Sequence, residues 1–247
     1  MENTFIFDLD DTLIYTEYHY RQAEADAMKY IVTYLKEYAL SLVQIFDKFE
    51  EIEHENIKKL GYSIERFPTS LKDTFGYFCN EAKKYFSEEN LDEIEKIGRT
   101  AYECPYDLMP DAKDILDFLT MQNDTMLLLT KGDEEHQMNK VIGNELFNWF
   151  DRSSITVSKS DKTPELIREI LEGKNMERAY SVGNYFRSDI LPALGAGIHG
   201  IYIPRGTWSH ECNGNTMQLI RDAEEKGMLK TLTGILEIRD KYEELFK

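Results

Sequence analysis

The chain has 247 residues, 42% of them hydrophobic and 30% charged, with 46 Asp and Glu against 29 Lys and Arg for a net charge of −17. That balance belongs to a globular protein, and the length accommodates one large domain or a domain carrying an insertion. With no Lys/Arg cluster, the acidity argues for no nucleic acid and no membrane surface as partner; a small phosphorylated ligand stays open, because a bound metal ion can reverse the field locally.

The N-terminus has neither a basic segment nor a small-residue cleavage site, and no apolar run approaches a bilayer span, so a cytoplasmic location is expected. The first element is a buried strand, Thr4–Phe7, running directly into Asp8-Leu9-Asp10-Asp11-Thr12. Three carboxylates at the end of a buried strand repel one another unless something neutralises them, and a divalent cation, which prefers carboxylate and carbonyl oxygens, is the simplest candidate. A solvated acidic turn would look the same in isolation.

From about Tyr15 to Thr100 the pattern is helical. Ile31, Tyr34, Leu35, Tyr38 and Leu42 recur at helix spacing, as do Phe46, Phe49, Ile52 and Ile57. Pro68-Thr69-Ser70 interrupts, with Ser70 placed to cap the next helix. Pro105 and Pro110 mark the end of this interval, and Asp111 is the expected N-cap of a helix over Ala112–Met121.

Strands and helices then alternate: strand Thr125–Leu129, helix Glu134–Ile142, strand Ser154–Val157, helix Pro164–Glu172, strand Ala179–Val182, helix Ser188–Ala196 and strand Gly200–Ile203. Such alternation predicts βαβ units and an α/β fold with a parallel sheet, whose ligands bind at the carboxyl ends of the strands. Those ends carry Thr130-Lys131-Gly132, a hydroxyl and main-chain donors for an anion; Lys159 and Lys162 before Thr163-Pro164; and Asn184 and Asp189, an amide and a carboxylate about one helical turn apart. Each alone is also what an ordinary helix start looks like. The stretch from Glu224 is charged and amphipathic and reads as helical. His54, His136 and His199 lack ligand-like spacing and read as structural, and Cys79, Cys104 and Cys212 as free thiols of a reducing compartment.

Taken in order, the four strand ends resemble the four motifs of the haloacid dehalogenase-like hydrolase superfamily, most of whose members are phosphatases, over Phe5 to Pro204. The resemblance implies a doubly wound parallel sheet formed by residues 1–15 and 101–247, with a helical cap domain over 16–100. It implies Asp8 as nucleophile, Asp10 as general acid and base, Thr130 as the hydroxyl that binds the transferring phosphoryl group, and Lys162 as the lysine beside it. Mg2+ would be held by the Asp8 carboxylate, the Asp10 carbonyl, a residue of the fourth motif and waters. That residue is Asn184, where the family often has Asp, or Asp189. Lys159 competes with Lys162, and Lys131 could touch substrate.

The implied activity is magnesium-dependent hydrolysis of a small phosphorylated metabolite through an aspartyl-phosphate. Phosphomutase, phosphonate hydrolase and a non-catalytic phosphate-binding regulatory protein are the alternatives. The family's dehalogenases lack an acid two residues after the nucleophile, so Asp10 argues against carbon–halogen cleavage. Tyr18, His19, Arg21 and Gln22 lie close enough to the first motif in sequence to read a leaving group, although each singly reads better as a packing or surface residue. A Thr-Trp segment like Thr207–Glu211 occurs in some family members.

Overall fold

A computed structural model of the protein describes residues 2–103, 105–206 and 214–246. The backbone divides into two units, residues 1–15 with 106–247 and residues 16–105. Helices α1 (Glu17–Tyr34), α2 (Leu42–Leu60), α3 (Arg66–Glu81) and α4 (Glu88–Arg99) form the second unit. Among the described residues no helix is long and apolar enough to cross a membrane.

The first unit is built on a six-stranded sheet, β1 (Thr4–Phe7), β2 (Thr125–Lys131), β3 (Ile155–Ser158), β4 (Ala179–Gly183), β5 (His199–Tyr202) and β6 (Leu229–Thr231), in the order β3-β2-β1-β4-β5-β6. All five pairings are parallel. Its helices are α5 (Ala112–Met121), α6 (Glu134–Gly143), α7 (Pro164–Ile170), α8 (Leu191–Ala196), α9 (Gly214–Glu225), α10 (Glu237–Asp240) and α11 (Tyr242–Phe246). This is the α/β fold with a parallel sheet that the alternating pattern predicts, in the doubly wound form that the resemblance implies. The order turns back between β1 and β4, the position at which such sheets open a crevice beyond their carboxyl ends.

β1 is buried along its whole length, as expected of a parallel strand covered on both faces. Ile6 joins Leu129, Ile167, Ala193 and Ile198 on one face. On the other, Phe5 stacks on Tyr180 with ring centroids 5.5 Å apart and meets the edge of Phe246 at 5.2 Å. Burying each of these side chains is worth about 1.5–3 kcal/mol, so the acidic turn that follows stands on a rigid base. The ladder extends past Phe7, with Asp8 N–H donating to Val182 C=O at 2.9 Å.

Three expectations are corrected. The region after Glu224 is not wholly helical: β6 adds an edge strand, and the terminal helices bury Tyr242 and Phe246. β6 escapes a periodicity reading because it has three residues, two of them exposed. The repeat from Ile31 to Leu42 is not one helix, since α1 ends at Tyr34, Ala39 turns the chain at φ 50°, and Ser41 starts α2 through a capping box with Gln44, leaving Leu42 58% exposed. Ser70 is not a cap. Pro68 fits within the first turn of α3, and the Ser70 hydroxyl donates to Arg66 C=O at 3.0 Å from inside the helix. Asp111 does occupy the N-cap position of α5, but at φ 70° and without a side-chain capping bond.

Candidate active site

Asp8 and Asp10 leave β1 on a tight turn. Leu13 and Ile14 N–H both reach Leu9 C=O, Asp11 N–H donates to Ile14 C=O at 2.7 Å, and Asp11 adopts φ 57°, a conformation Asp tolerates better than most residues. Thr12, buried within the turn, donates to Asp8 Oδ2 at 3.2 Å or to Asn184 Oδ1 at 3.3 Å, while Asn184 N–H donates to the Thr12 hydroxyl at 3.2 Å. One hydroxyl thus ties the end of β1 to the end of β4.

Lys162 precedes Thr163, whose side chain caps α7 by accepting from Leu166 N–H at 3.2 Å, with Pro164 in the first turn. The buried ammonium bridges Asp8 Oδ1 at 2.7 Å and Asp189 Oδ1 at 2.8 Å. Asp189 sits in a π-helical turn, Phe186–Ile190, and its second oxygen accepts from Tyr185 N–H at 2.9 Å. Both Asp189 oxygens are therefore engaged, whereas the Asn184 amide oxygen shares Thr12 with Asp8.

Asp10 is held separately. Lys140, on α6 and 4% exposed, reaches Asp10 Oδ1 at 2.8 Å, and Gln137, one turn earlier and 2% exposed, donates to Asp10 Oδ2 at 2.9 Å and to the Thr130 hydroxyl at 2.5 Å. The electrostatics follow from this packing. Burial, with Asp189 beside it, pushes the Asp8 carboxyl up to about 7 even though Lys162 opposes the shift. Burial also disfavours the Lys162 ammonium, but Asp189 and Asp8 more than offset it and hold Lys162 above the usual lysine value. Three carboxyl groups, those of Asp8, Asp10 and Asp189, thus face the two ammonium groups that touch them.

A family model described as haloacid dehalogenase-like hydrolase matches residues 2–197. The chain belongs to that family. Among solved structures it is similar to a haloacid dehalogenase-like family hydrolase from Xanthomonas campestris, at 24% identity and a TM-score of 0.76 over 99% of this chain and 92% of that one. The HAD-hydrolase YfnB from Bacillus subtilis, bound to magnesium, is 18% identical with a TM-score of 0.53, covering 82% of this chain and 88% of its own. A 2-haloacid dehalogenase from Pseudomonas syringae pv. Tomato DC3000 is also 18% identical, with a TM-score of 0.55 and 99% of both chains covered. These likenesses concern the fold. No curated protein matches the chain significantly.

In this haloacid dehalogenase-like hydrolase, Asp8, Asp10, Thr130, Lys162, Asn184 and Asp189 come together at the carboxyl ends of β1, β2 and β4 and before α7. Lys159 is exposed, whereas Lys162 is the lysine that reaches Asp8 and Asp189. Lys131 pairs with Asp161 at 3.3 Å, and burial holds its ammonium below the usual lysine value. In the helical unit, Arg21 pairs with Glu17 and Glu24 along α1 and Gln22 donates to Asp26, while Tyr18 is 62% exposed. Thr207–Glu211, Cys104 and Cys212 lie outside the described residues. Cys79 is a buried free thiol, and His136, pushed down to about 4 by burial, lies 3.4 Å from the Tyr106 hydroxyl. Gln137 and Lys140, which fall inside the predicted helix Glu134–Ile142 and carry no mark of a site residue there, are the principal additions to the site.

Gly183, the last residue of β4, has a packing reason. A Cβ there would lie 2.4 Å from Asp189 Cβ and 2.5 Å from its Oδ2. Gly183→Ala should therefore displace Asp189 from Lys162 and destabilise the fold by about 1–3 kcal/mol or more. Urea denaturation checks this, and an unchanged midpoint would show that the loop gives way freely.

Proposed function

We propose that the protein is a magnesium-dependent phosphatase that hydrolyses a small phosphorylated metabolite, a phosphomonoester, through a phosphoryl group carried on Asp8. The observation that carries this reading is the division of labour between two carboxylates of one turn: Asp8 is held by Lys162, and Asp10 stands apart, held by Lys140 and Gln137. An alkoxide leaving group needs a proton and a halide does not, so a separately held Asp10 favours phosphoryl transfer from an alcohol.

A carboxylate of Asp8 attacks phosphorus as the bond to the leaving oxygen breaks, and Asp10 gives that oxygen its proton. Water then attacks phosphorus; its proton passes to Asp10, the bond to Asp8 breaks, and inorganic phosphate leaves with the Asp8 carboxylate restored. Lys162 neutralises charge on the phosphoryl oxygens, and the Thr130 hydroxyl donates to one of them.

The donors present suit Mg2+. The Asp8 carboxylate, the Asn184 amide oxygen and the Asp10 carbonyl would hold it, and the cation would supply the charge that lets a dianionic phosphate approach Asp8. Mg2+ keeps several waters and takes one or two carboxylates, a demand that this donor set meets. The gathering of three carboxyl groups around two ammonium groups supports the same assignment.

A phosphomonoester panel should release phosphate with Mg2+ and none after chelation; halide release from 2-haloacids in place of phosphate release would overturn the reading. Metal binding itself carries a sign. Because burial holds the metal-free Asp8 carboxyl at about 7, Mg2+ must displace a proton below that pH. Its affinity should fall about tenfold per pH unit below 7 and level off above it, as titration calorimetry can check. An affinity flat from pH 5.5 to 8 would remove Asp8 from the ligand set.

A further inference from the structure

We infer that Gln137 and Lys140 are positioning residues that fix the carboxyl plane of Asp10 for both proton transfers and couple it to the phosphoryl-binding hydroxyl of Thr130. The inference rests on the phosphatase reading and extends it to residues of α6.

Gln137 and Lys140 are three positions apart on one face of α6, which begins just beyond β2 when the Asp133 side chain accepts from His136 N–H at 3.0 Å. Both side chains are buried, although amide and ammonium groups are costly to bury without partners. Apolar residues would fill an ordinary helix–sheet contact with no such cost. Here the polar groups converge on one carboxylate: Lys140 Nζ takes Oδ1 at 2.8 Å and Gln137 Nε2 takes Oδ2 at 2.9 Å. Two donors on the two oxygens oppose rotation of the carboxyl group. The Asp10 side chain is still 32% exposed, so it is gripped from behind and open in front. The Tyr106 ring, its centroid 4.7 Å from Lys140 Nζ, covers the ammonium.

Gln137 adds a second constraint. Its Nε2 also donates to Thr130 Oγ1 at 2.5 Å and lies 3.3 Å from Lys131 C=O. Because Thr130 accepts this bond, its own hydroxyl proton is left to point at a phosphoryl oxygen. Among the described residues that proton has no acceptor. One amide therefore aims the acid that protonates the leaving oxygen and the hydroxyl that holds the phosphoryl group. The proton leaves Asp10 as the bond from phosphorus to the leaving oxygen breaks, and returns from water as phosphorus leaves Asp8. A misaligned carboxyl would slow both steps, and the first in proportion to the basicity of the leaving group.

The test compares leaving groups. In Gln137→Met and Lys140→Met, turnover of an alkyl phosphate such as glycerol phosphate should fall about 10²-fold or more, with KM changed little. Turnover of p-nitrophenyl phosphate, whose leaving group needs no proton, should become limited by hydrolysis of the intermediate, and acid-quenched labelled phosphoprotein should accumulate. Asp10→Asn provides the reference behaviour, and Lys140→Arg should recover most of the alkyl phosphate rate. Gln137→Met, close to isosteric, carries the test alone should Lys140→Met fail to fold. An active wild type whose alkyl phosphate turnover survives both substitutions, or variants that accumulate no phosphoprotein with p-nitrophenyl phosphate, overturns this inference and leaves the phosphatase reading standing. A wild type without phosphatase activity, or activity that survives Asp8→Asn, overturns both.

Discussion

Asp8→Asn should lower phosphate release by about 10⁴-fold or more and, in metal-free buffer at pH 8, leave the fold at least as stable as the wild type. The first effect follows from removing the atom that attacks phosphorus, since an amide oxygen cannot form the phosphoryl intermediate. The second follows from the charge at that position. Burial raises the Asp8 carboxyl from 3.8 to about 7, so the folded chain binds this proton more tightly than the unfolded chain does. Folding stability from this group is then greatest below pH 4, declines as pH rises towards 7, and stays low above it. Asparagine is neutral at every pH and removes the decline. Denaturation of both proteins at pH 5 and pH 8 checks this: the variant should gain on the wild type at the higher pH. A variant less stable than the wild type by more than about 1 kcal/mol at pH 8 would mean that the bond from Lys162 to Asp8 outweighs the burial of its charge.

Lys162→Met should cost both activity and stability. The ammonium is the group that bridges Asp8 and Asp189, both partners being nearly buried. Taking one partner from such a cluster leaves like charges facing each other and is typically worth about 3–5 kcal/mol, while loss of charge stabilisation on the phosphoryl group should lower turnover by about 10³-fold. The stability loss should be greatest above pH 7 and shrink towards pH 5, where Asp8 takes up a proton and the repulsion is relieved. Lys162 itself contributes no slope in that range. Its folded value is raised, so its contribution is complete below 10.5 and is lost only above it. A deficit identical at pH 5 and pH 8 would show that Asp8 and Asp189 do not repel through this contact. Saturating Mg2+ should return part of the loss at pH 8, because the cation would supply charge against the same Asp8 carboxylate.

The parts of the site legible in the sequence are those that stand next to an apolar run. Asp8 follows Phe5-Ile6-Phe7, Thr130 ends the run Leu127-Leu128-Leu129, and Lys162 adjoins Thr163-Pro164, a helix start with its own chemical signature. Strand-end position and local capping are short-range properties, and short-range patterns expose them. Gln137 and Lys140 were hidden for the opposite reason. Their partner, Asp10, lies well over one hundred residues away, and on their own helix they are unremarkable polar positions. The one sequence signal is their shared face directly after the Thr130 loop. The choice between Asn184 and Asp189 likewise depends on distances that spacing does not give: Asp189 turns back to Tyr185 N–H and Lys162, while the Asn184 amide oxygen turns towards the Thr12 hydroxyl, which also reaches Asp8. In the helical unit, periodicity ran through the break at Ala39 because a non-glycine residue at positive φ carries no sequence mark.

The paired main chain on either side of the long insertion has a consequence of its own. Tyr15 N–H donates to Asp107 C=O at 2.8 Å, and Met109 N–H donates to Leu13 C=O at 2.8 Å, so the chain leaves the sheet unit and rejoins it through adjacent, bonded residues. Everything from Thr16 to Pro105 is a loop whose neck is already closed. The entropy of closing a loop grows only with the logarithm of its length, about 0.6 kcal/mol for each doubling. The sheet and its acidic turn are therefore nearly indifferent to how much chain that neck encloses, and this position can gain, lose or exchange whole helices at little expense to the stability of the sheet.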